Sequence, residues 1–190
     1  MQDFKFYFDL GWHHIISREA LDHQLFIAAL VAIYAFKEWK QVLILVTAFT
    51  IGHSVTLALS VLDIIRLPSN WVEFLIPCTI VFTAISNFFE RSKGAVKLNY
   101  FLALVFGLIH GMGFANTLRF IIARDQSLAV GLFGFNVGLE VGQIAVVLLL
   151  LVIAQISFSL FKVNRRDWVV FISAGVFSLA LKMALDRIPF

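Results

Sequence analysis

Between Ser127 and Phe161 the chain runs for 35 residues with a single charged side chain, Glu140. A segment of this kind has few ways to fold. The hydrocarbon core of a bilayer is about 30 Å thick and takes about 20 apolar residues as a helix. Backbone amides in lipid must be paired within the segment, so the run reads as a transmembrane helix. As one straight helix it is about 52 Å long. It must therefore tilt, extend past the bilayer or break, and Gly131, Gly134 and Gly138 mark the expected interruption.

Shorter runs of the same kind recur. The chain is 61% hydrophobic and 14% charged, with a mean hydropathy of +0.92. A soluble domain carries roughly 25% charged residues. The expected fold is thus all-α: one polytopic transmembrane domain over residues 1–190, with about six helices and a glycine-interrupted fifth span. The spans are placed at about 21–36, 41–62, 70–89, 98–122, 127–161 and 168–185. Residues 1–11, with Phe4, Phe6, Tyr7 and Phe8, read as an interfacial lead, and no secretory cleavage pattern is visible there. Pro77 lies inside span three, where membrane helices tolerate proline. Glu90 closes that span as a boundary charge.

Loop charges orient the spans. The loops after spans one, three and five carry Lys37, Lys40, Arg91, Lys93, Lys97, Lys162, Arg165 and Arg166; those after spans two and four carry Arg66 and Arg124. By the positive-inside rule the first set is cytoplasmic. Both termini then face the outer side, periplasmic in a bacterial inner membrane.

Composition also excludes functions. One cysteine, Cys78, rules out a thiolate cluster or a disulfide framework. The net charge of +3 is spread over loops, with no basic patch for nucleic acid. No phosphate-binding glycine loop of the Walker type is present, so ATP hydrolysis is not expected.

The informative residues are the few polar ones inside the spans. His53 lies twelve residues past Gln41, and His110 twelve past Leu98. On parallel helices both sit about 18 Å above the cytoplasmic boundary. Asp22 and His23 open span one at its outer end, preceded by His13 and His14. Asn136, Glu140 and Gln143 follow the i, i+4, i+7 spacing of one helix face. A lone intramembrane His or Asn often does no more than hydrogen-bond a neighbouring helix. A carboxylate inside a span is rarer and usually functional. Gly107, Gly111, Gly113 and Gly138 read as helix-packing positions, with Gly107 and Gly111 in small-xxx-small spacing.

Imidazole plus carboxylate, without thiolate, suits a borderline divalent ion such as nickel, cobalt or zinc. It is too rich in nitrogen for magnesium or calcium. His14, Asp22, His23, His53, His110 and Glu140 are the candidate ligands. His13, Asn136, Gln143 and Ser54 are candidate supports that orient them. No His-Glu-x-x-His motif occurs, and Gly52-His53-Ser54 places Ser and His too close in sequence to face each other.

Three blocks resemble the HupE/UreJ family of small membrane proteins. They are Thr47-Ala48-Phe49-Thr50-Ile51-Gly52-His53-Ser54-Val55-Thr56-Leu57, Phe106-Gly107-Leu108-Ile109-His110-Gly111-Met112-Gly113-Phe114-Ala115 and Phe135-Asn136-Val137-Gly138-Leu139-Glu140-Val141-Gly142-Gln143. A fourth block, His14 to Phe26, keeps Asp22-His23 but is longer and lacks the family's glycine, so His13 and His14 are equal candidates for its histidine. The resemblance implies uptake of nickel or cobalt for hydrogenase and urease. The expected activity is transport of a divalent metal from the outer face, nickel first. Asp22 and His23 with His13 or His14 would capture the ion, and His53, His110 and Glu140 would form a deeper site. The expected partners are the lipid bilayer, the ion, and a second copy or another membrane protein. Two alternatives stand beside transport. One is an intramembrane zinc hydrolase acting on lipid or peptide; the other is an assembly subunit that transports nothing.

Overall fold

The computed structural model describes residues 2–89, 95–122 and 128–189. Within them every regular element is helical: α1 (Gln2–Ile16), α2 (Leu21–Val31), α3 (Trp39–Val61), α4 (Ser69–Ser86), α5 (Ala95–Gly113), α6 (Ala115–Ile122), α7 (Leu128–Ser159) and α8 (Arg165–Asp186). Short 3-10 turns cover Arg18–Ala20 and Phe36–Glu38. Four of the described helices are long and apolar enough to cross a bilayer, at Phe36–Val61, Ser69–Ser86, Leu128–Ser159 and Arg165–Asp186, and Asn99–Gly113 is a shorter apolar one. Large apolar side chains such as Phe133, Leu149, Leu160 and Phe171 face outward, as expected where lipid replaces water. Part of the charged loop at 90–97 and the loop at 123–126 lie outside the described residues, and Glu90, Arg91, Lys93 and Arg124 with them.

Two tightly crossed helix pairs hold the bundle. In α1 and α7, a methyl group on Gly11 would overlap the carbonyl of Phe135, and one on Gly138 would overlap the carbonyl of Phe8. In α5 and α3, a methyl on Gly107 would overlap the carbonyl of Phe49, and one on Gly52 would overlap that of Leu104. Residue number rises together along both members of each pair, so both pairs are parallel. The two crossings are the same construction. Phe8-x-x-Gly11 meets Phe135-x-x-Gly138, and Leu104-x-x-Gly107 meets Phe49-x-x-Gly52. Under this correspondence α1 answers to α5, α3 to α7, and His14 to His110, three residues past the glycine in each case. The remaining long helices, α4 and α8, pack on each other.

The described helices thus fall into two corresponding sets. Each begins with a broken helix (α1 with α2, α5 with α6), continues with a long one (α3, α7) and closes with one more (α4, α8).

The first span departs from expectation. Residues 2–16 form a helix packed along the first half of α7, where an interfacial lead was expected. The apolar helix that follows ends at Val31 instead of Phe36. The break between α1 and α2 is stabilised by Gln24, whose Nε2 reaches the carbonyls of Ile15, Ile16 and Ser17 at 3.0, 3.2 and 3.0 Å. The Ile15 and Ile16 carbonyls are among those an ending helix leaves without partners, and the Ser17 carbonyl also accepts from the Ala20 amide at 3.2 Å. The expected glycine interruption of span five does not occur: α7 is continuous from Leu128 to Ser159. Its glycines admit α1 at backbone distance instead of bending the helix. Between spans, Asn87 donates to the Ala29 carbonyl at 2.7 Å and to Ser173 Oγ at 3.1 Å, tying α2, α4 and α8 together.

Because backbone lies against backbone at both crossings, Gly138→Ala and Gly107→Ala are each expected to cost at least about 1–3 kcal/mol. They should lower the thermal unfolding midpoint of the protein in detergent. Gly175→Ala, with nothing within 4 Å of the new methyl, should leave that midpoint unchanged.

Candidate metal centre

Three imidazoles from three helices meet between the two glycine crossings. His14 ends α1, His23 lies in the first turns of α2, and His53 follows Gly52 in α3. One nitrogen from each lies within 4.8 Å of the others. Two nitrogens bound to one ion at about 2.1 Å lie at most about 4.2 Å apart. The group is therefore gathered, but it must contract to share one ion.

What makes the cluster unusual is its unpaired nitrogen. His14 Nε2, His23 Nε2 and both ring nitrogens of His53 are buried without a hydrogen-bond partner. A buried polar atom left unpaired costs about 1–3 kcal/mol. Several in one place fit a ligand supplied from outside the chain, and neutral imidazole nitrogen is a donor for nickel, cobalt, copper or zinc.

Neighbouring groups set which nitrogen is free. Asp22 Oδ1 accepts from the His23 backbone N–H at 2.8 Å and faces His23 Nδ1 at 3.0 Å. The carboxylate holds the proton on Nδ1 and leaves the Nε2 lone pair available. For His110, Thr79 Oγ1 donates to the Ile76 carbonyl at 2.7 Å, so toward His110 Nε2, at 3.2 Å, it can only accept. The proton then sits on His110 Nε2, and Nδ1, buried and unpartnered, carries the lone pair. The His110 ring centroid is 5.0 Å from that of His23, although His110 lies outside the three-histidine group. Phe114 and Phe135 stack at 5.0 Å and 10°. His14 packs on Phe114 at 4.2 Å between ring centroids, which makes one wall of the site apolar.

The structure sorts the remaining sequence candidates. His13 is exposed, and His14 is the one facing the cluster. The shared level of His53 and His110 is borne out by the α3–α5 crossing, where Gly111 lies against the His53 carbonyl. Glu140 is outside the imidazole group: its Oε1 accepts from Thr47 Oγ1 at 2.7 Å. Thr47 lies six residues before His53 on α3, about 9 Å along the axis. Gln143 accepts from Thr50 Oγ1 at 2.8 Å. Ser54 donates to its own helix, at the Thr50 carbonyl, 2.6 Å away. Asn136 Oδ1 is buried without a partner. Gly113 faces the Ile76 side chain of α4.

A chamber of about 260 Å³ reaches the cluster from one end of the bundle, with His14, His23 and His110 among its lining residues. Asp22, Glu73 and Arg187 also line it. Glu73 and Arg187 are chamber residues that the sequence did not single out, because Glu73 stands near the start of span three and Arg187 just past the last span, where charges are ordinary. Thr79 looked like any span threonine until His110 was placed against it. Gly11 had a visible signal: the spacing Gly11-x-x-His14 repeats Gly107-x-x-His110.

If Asp22 orients His23, Asp22→Asn should weaken binding of zinc or nickel by about 10–100-fold. Isothermal titration of the detergent-solubilised protein measures this, and an unchanged unfolding midpoint would separate it from misfolding.

No curated protein and no solved structure matches this chain. The family model described as HupE / UreJ protein matches residues 1–186, a span that includes every helix described above. The chain therefore belongs to the HupE/UreJ family, membrane proteins associated with the handling of nickel and cobalt.

Proposed function

We propose that the protein carries a divalent transition metal ion, nickel first, across the bacterial inner membrane from the periplasmic face. The observation that carries this reading is the set of buried, unpartnered imidazole nitrogens at the floor of a chamber open to one end of the bundle. That end lies opposite the turns bearing Lys37, Lys40, Arg165 and Arg166, which the positive-inside rule assigns to the cytoplasm. Ions would enter past Glu73 and bind among His14, His23 and His53, with His110 beside them. Asp22 would act through His23. His13 falls outside the ligand set.

Glu140 takes a different role from the one its family motif suggested. With Thr47, Thr50 and Gln143 it forms a polar ladder between α3 and α7 on the cytoplasmic side of His53. An ion or a proton leaving the imidazoles inward would meet this ladder next. The chain has no nucleotide-binding motif, so the membrane potential or proton exchange would drive the movement. Imidazole binds metal only when deprotonated, which links ion and proton at the site. The repeated halves support transport as well, since a site between inverted repeats can open to either side by rocking one against the other.

A hydrolase reading requires a carboxylate free to take a proton from metal-bound water. Asp22 is engaged by His23, and Glu140 lies two turns away, so neither favours it.

Radiolabelled nickel uptake into proteoliposomes tests the proposal. Wild type should accumulate nickel above empty vesicles. His53→Ala should abolish uptake, and Glu140→Gln should slow it while leaving equilibrium nickel binding within about threefold, or roughly 0.7 kcal/mol. Equal loss of binding in Glu140→Gln would put the carboxylate back among the ligands. No uptake by the wild type would defeat the transport reading.

A further inference from the structure

Among the described residues, Arg187 is the only permanently cationic side chain lining the chamber, and it sits on the proposed path of the cation. It caps the C-terminus of α8, and its Nη1 lies 4.0 Å from Asp22 Oδ2. Three carboxylates, Glu19, Asp22 and Glu73, line the same space. The Asp22 oxygen that faces Arg187 is not the one held by His23, so Asp22 bridges the guanidinium and the imidazole cluster.

We propose that Arg187 is a resident competitor for the incoming ion. It neutralises the free oxygen of Asp22 at the mouth of the site, and a divalent cation binds only by displacing it. The inference rests on the metal-binding reading of this chamber and adds a residue that sets its affinity and selectivity.

Three features of the pair fit such a role. At 4.0 Å it is an ion pair without the short, two-pronged geometry that locks arginine to carboxylate. Arg187 stands past the last turn of α8, so its side chain can swing away without unwinding the helix. Glu73, exposed on α4 in the same chamber, offers the displaced guanidinium a second carboxylate.

The selectivity follows from ligand chemistry. Magnesium and calcium bind through oxygen. With Arg187 on Asp22, the oxygen set nearest the imidazoles is partly neutralised, and a hard ion gains little by entering. Nickel or zinc gains imidazole nitrogen as well, and so can displace the arginine. Arg187 thus filters for ions that prefer nitrogen.

The test is titration of the full-length protein in detergent with zinc, alone and in the presence of millimolar magnesium. Removing one positive charge a few ångströms from a divalent ion is expected to tighten binding by about tenfold or more. Arg187→Gln should therefore bind zinc about tenfold more tightly than wild type, and magnesium should compete better against it. Arg187→Lys keeps the charge and should stay near wild type. Unchanged or weaker zinc binding in Arg187→Gln, with an unchanged unfolding midpoint, overturns the proposal. So does a lysine variant that behaves like the glutamine one. Wild type that binds no zinc or nickel at all defeats the metal reading itself, whereas wild-type binding with an indifferent Arg187→Gln defeats this inference alone.

Discussion

The carbonyls of Phe8, Leu104, Phe49 and Phe135 each lie directly against the Cα of a glycine on a neighbouring helix, and the rest of the bundle depends on those four contacts. In a membrane, lipid is as apolar as leucine, so burial alone does not bring helices together. Close packing of backbone does, and only glycine permits it. The contacts also position the chemistry. His53 follows Gly52 directly, His110 comes three residues after Gly107, and His14 three after Gly11. Each imidazole leaves its helix beside a point that the glycine contact has already placed. A methyl group at any of these glycines would push apart the helices that present the histidines.

Inside this frame most polar groups pair locally. Ser54, Thr56, Thr83 and Ser178 bond carbonyls of their own helices. Asn87 and Gln24 satisfy carbonyls on other segments. The imidazole nitrogens are the marked exception. Their surroundings are arranged to keep particular lone pairs free: Asp22 behind His23, and Thr79 behind His110. An apolar wall of Phe114 and Phe135 closes one side, and a carboxylate-lined chamber opens the other. The buried nitrogens therefore lie where the carboxylate oxygens of the chamber give way to imidazole.

The internal correspondence holds at the crossing glycines and is looser elsewhere. Gly11 answers to Gly107 and Gly52 to Gly138, whereas Gly111 answers to Ile15 and Gly134 to Ala48. Three of the four clustered histidines nevertheless come from the first half; the position answering to His53 is Leu139. One half supplies most of the clustered imidazoles, and the other supplies the backbone they are packed against. That division explains how a repeat can be plain in the packing while few residues repeat in the sequence.

Much of this was legible in the chain itself. Apolar runs of bilayer length dictate helices, because lipid offers the backbone no other partner. The positions of His53 and His110 relative to their span starts placed them at one level, since rise per residue is constant along a helix. Asp22 and His23 both read as ligands in the sequence; the fold turned the Asp22 carboxylate onto His23 Nδ1. Other features were decided only by tertiary contact. α1 became a helix packed into the bundle because Gly11 and Gly138 let it lie on α7; read alone, its charges and aromatics suggest an interfacial strip. α7 stayed unbroken for the same reason, its glycines being filled by a neighbour's backbone. Glu140 was placed against Thr47 instead of the imidazoles by the packing of α7 on α3, which no spacing within α7 encodes. Arg187 joined the site because α8 ends where α2 begins, although 165 positions separate Arg187 from Asp22 along the chain. Distances within one helix are dictated by covalent geometry and can be counted from the sequence; distances between helices depend on which surfaces fit, and only the folded bundle determines them.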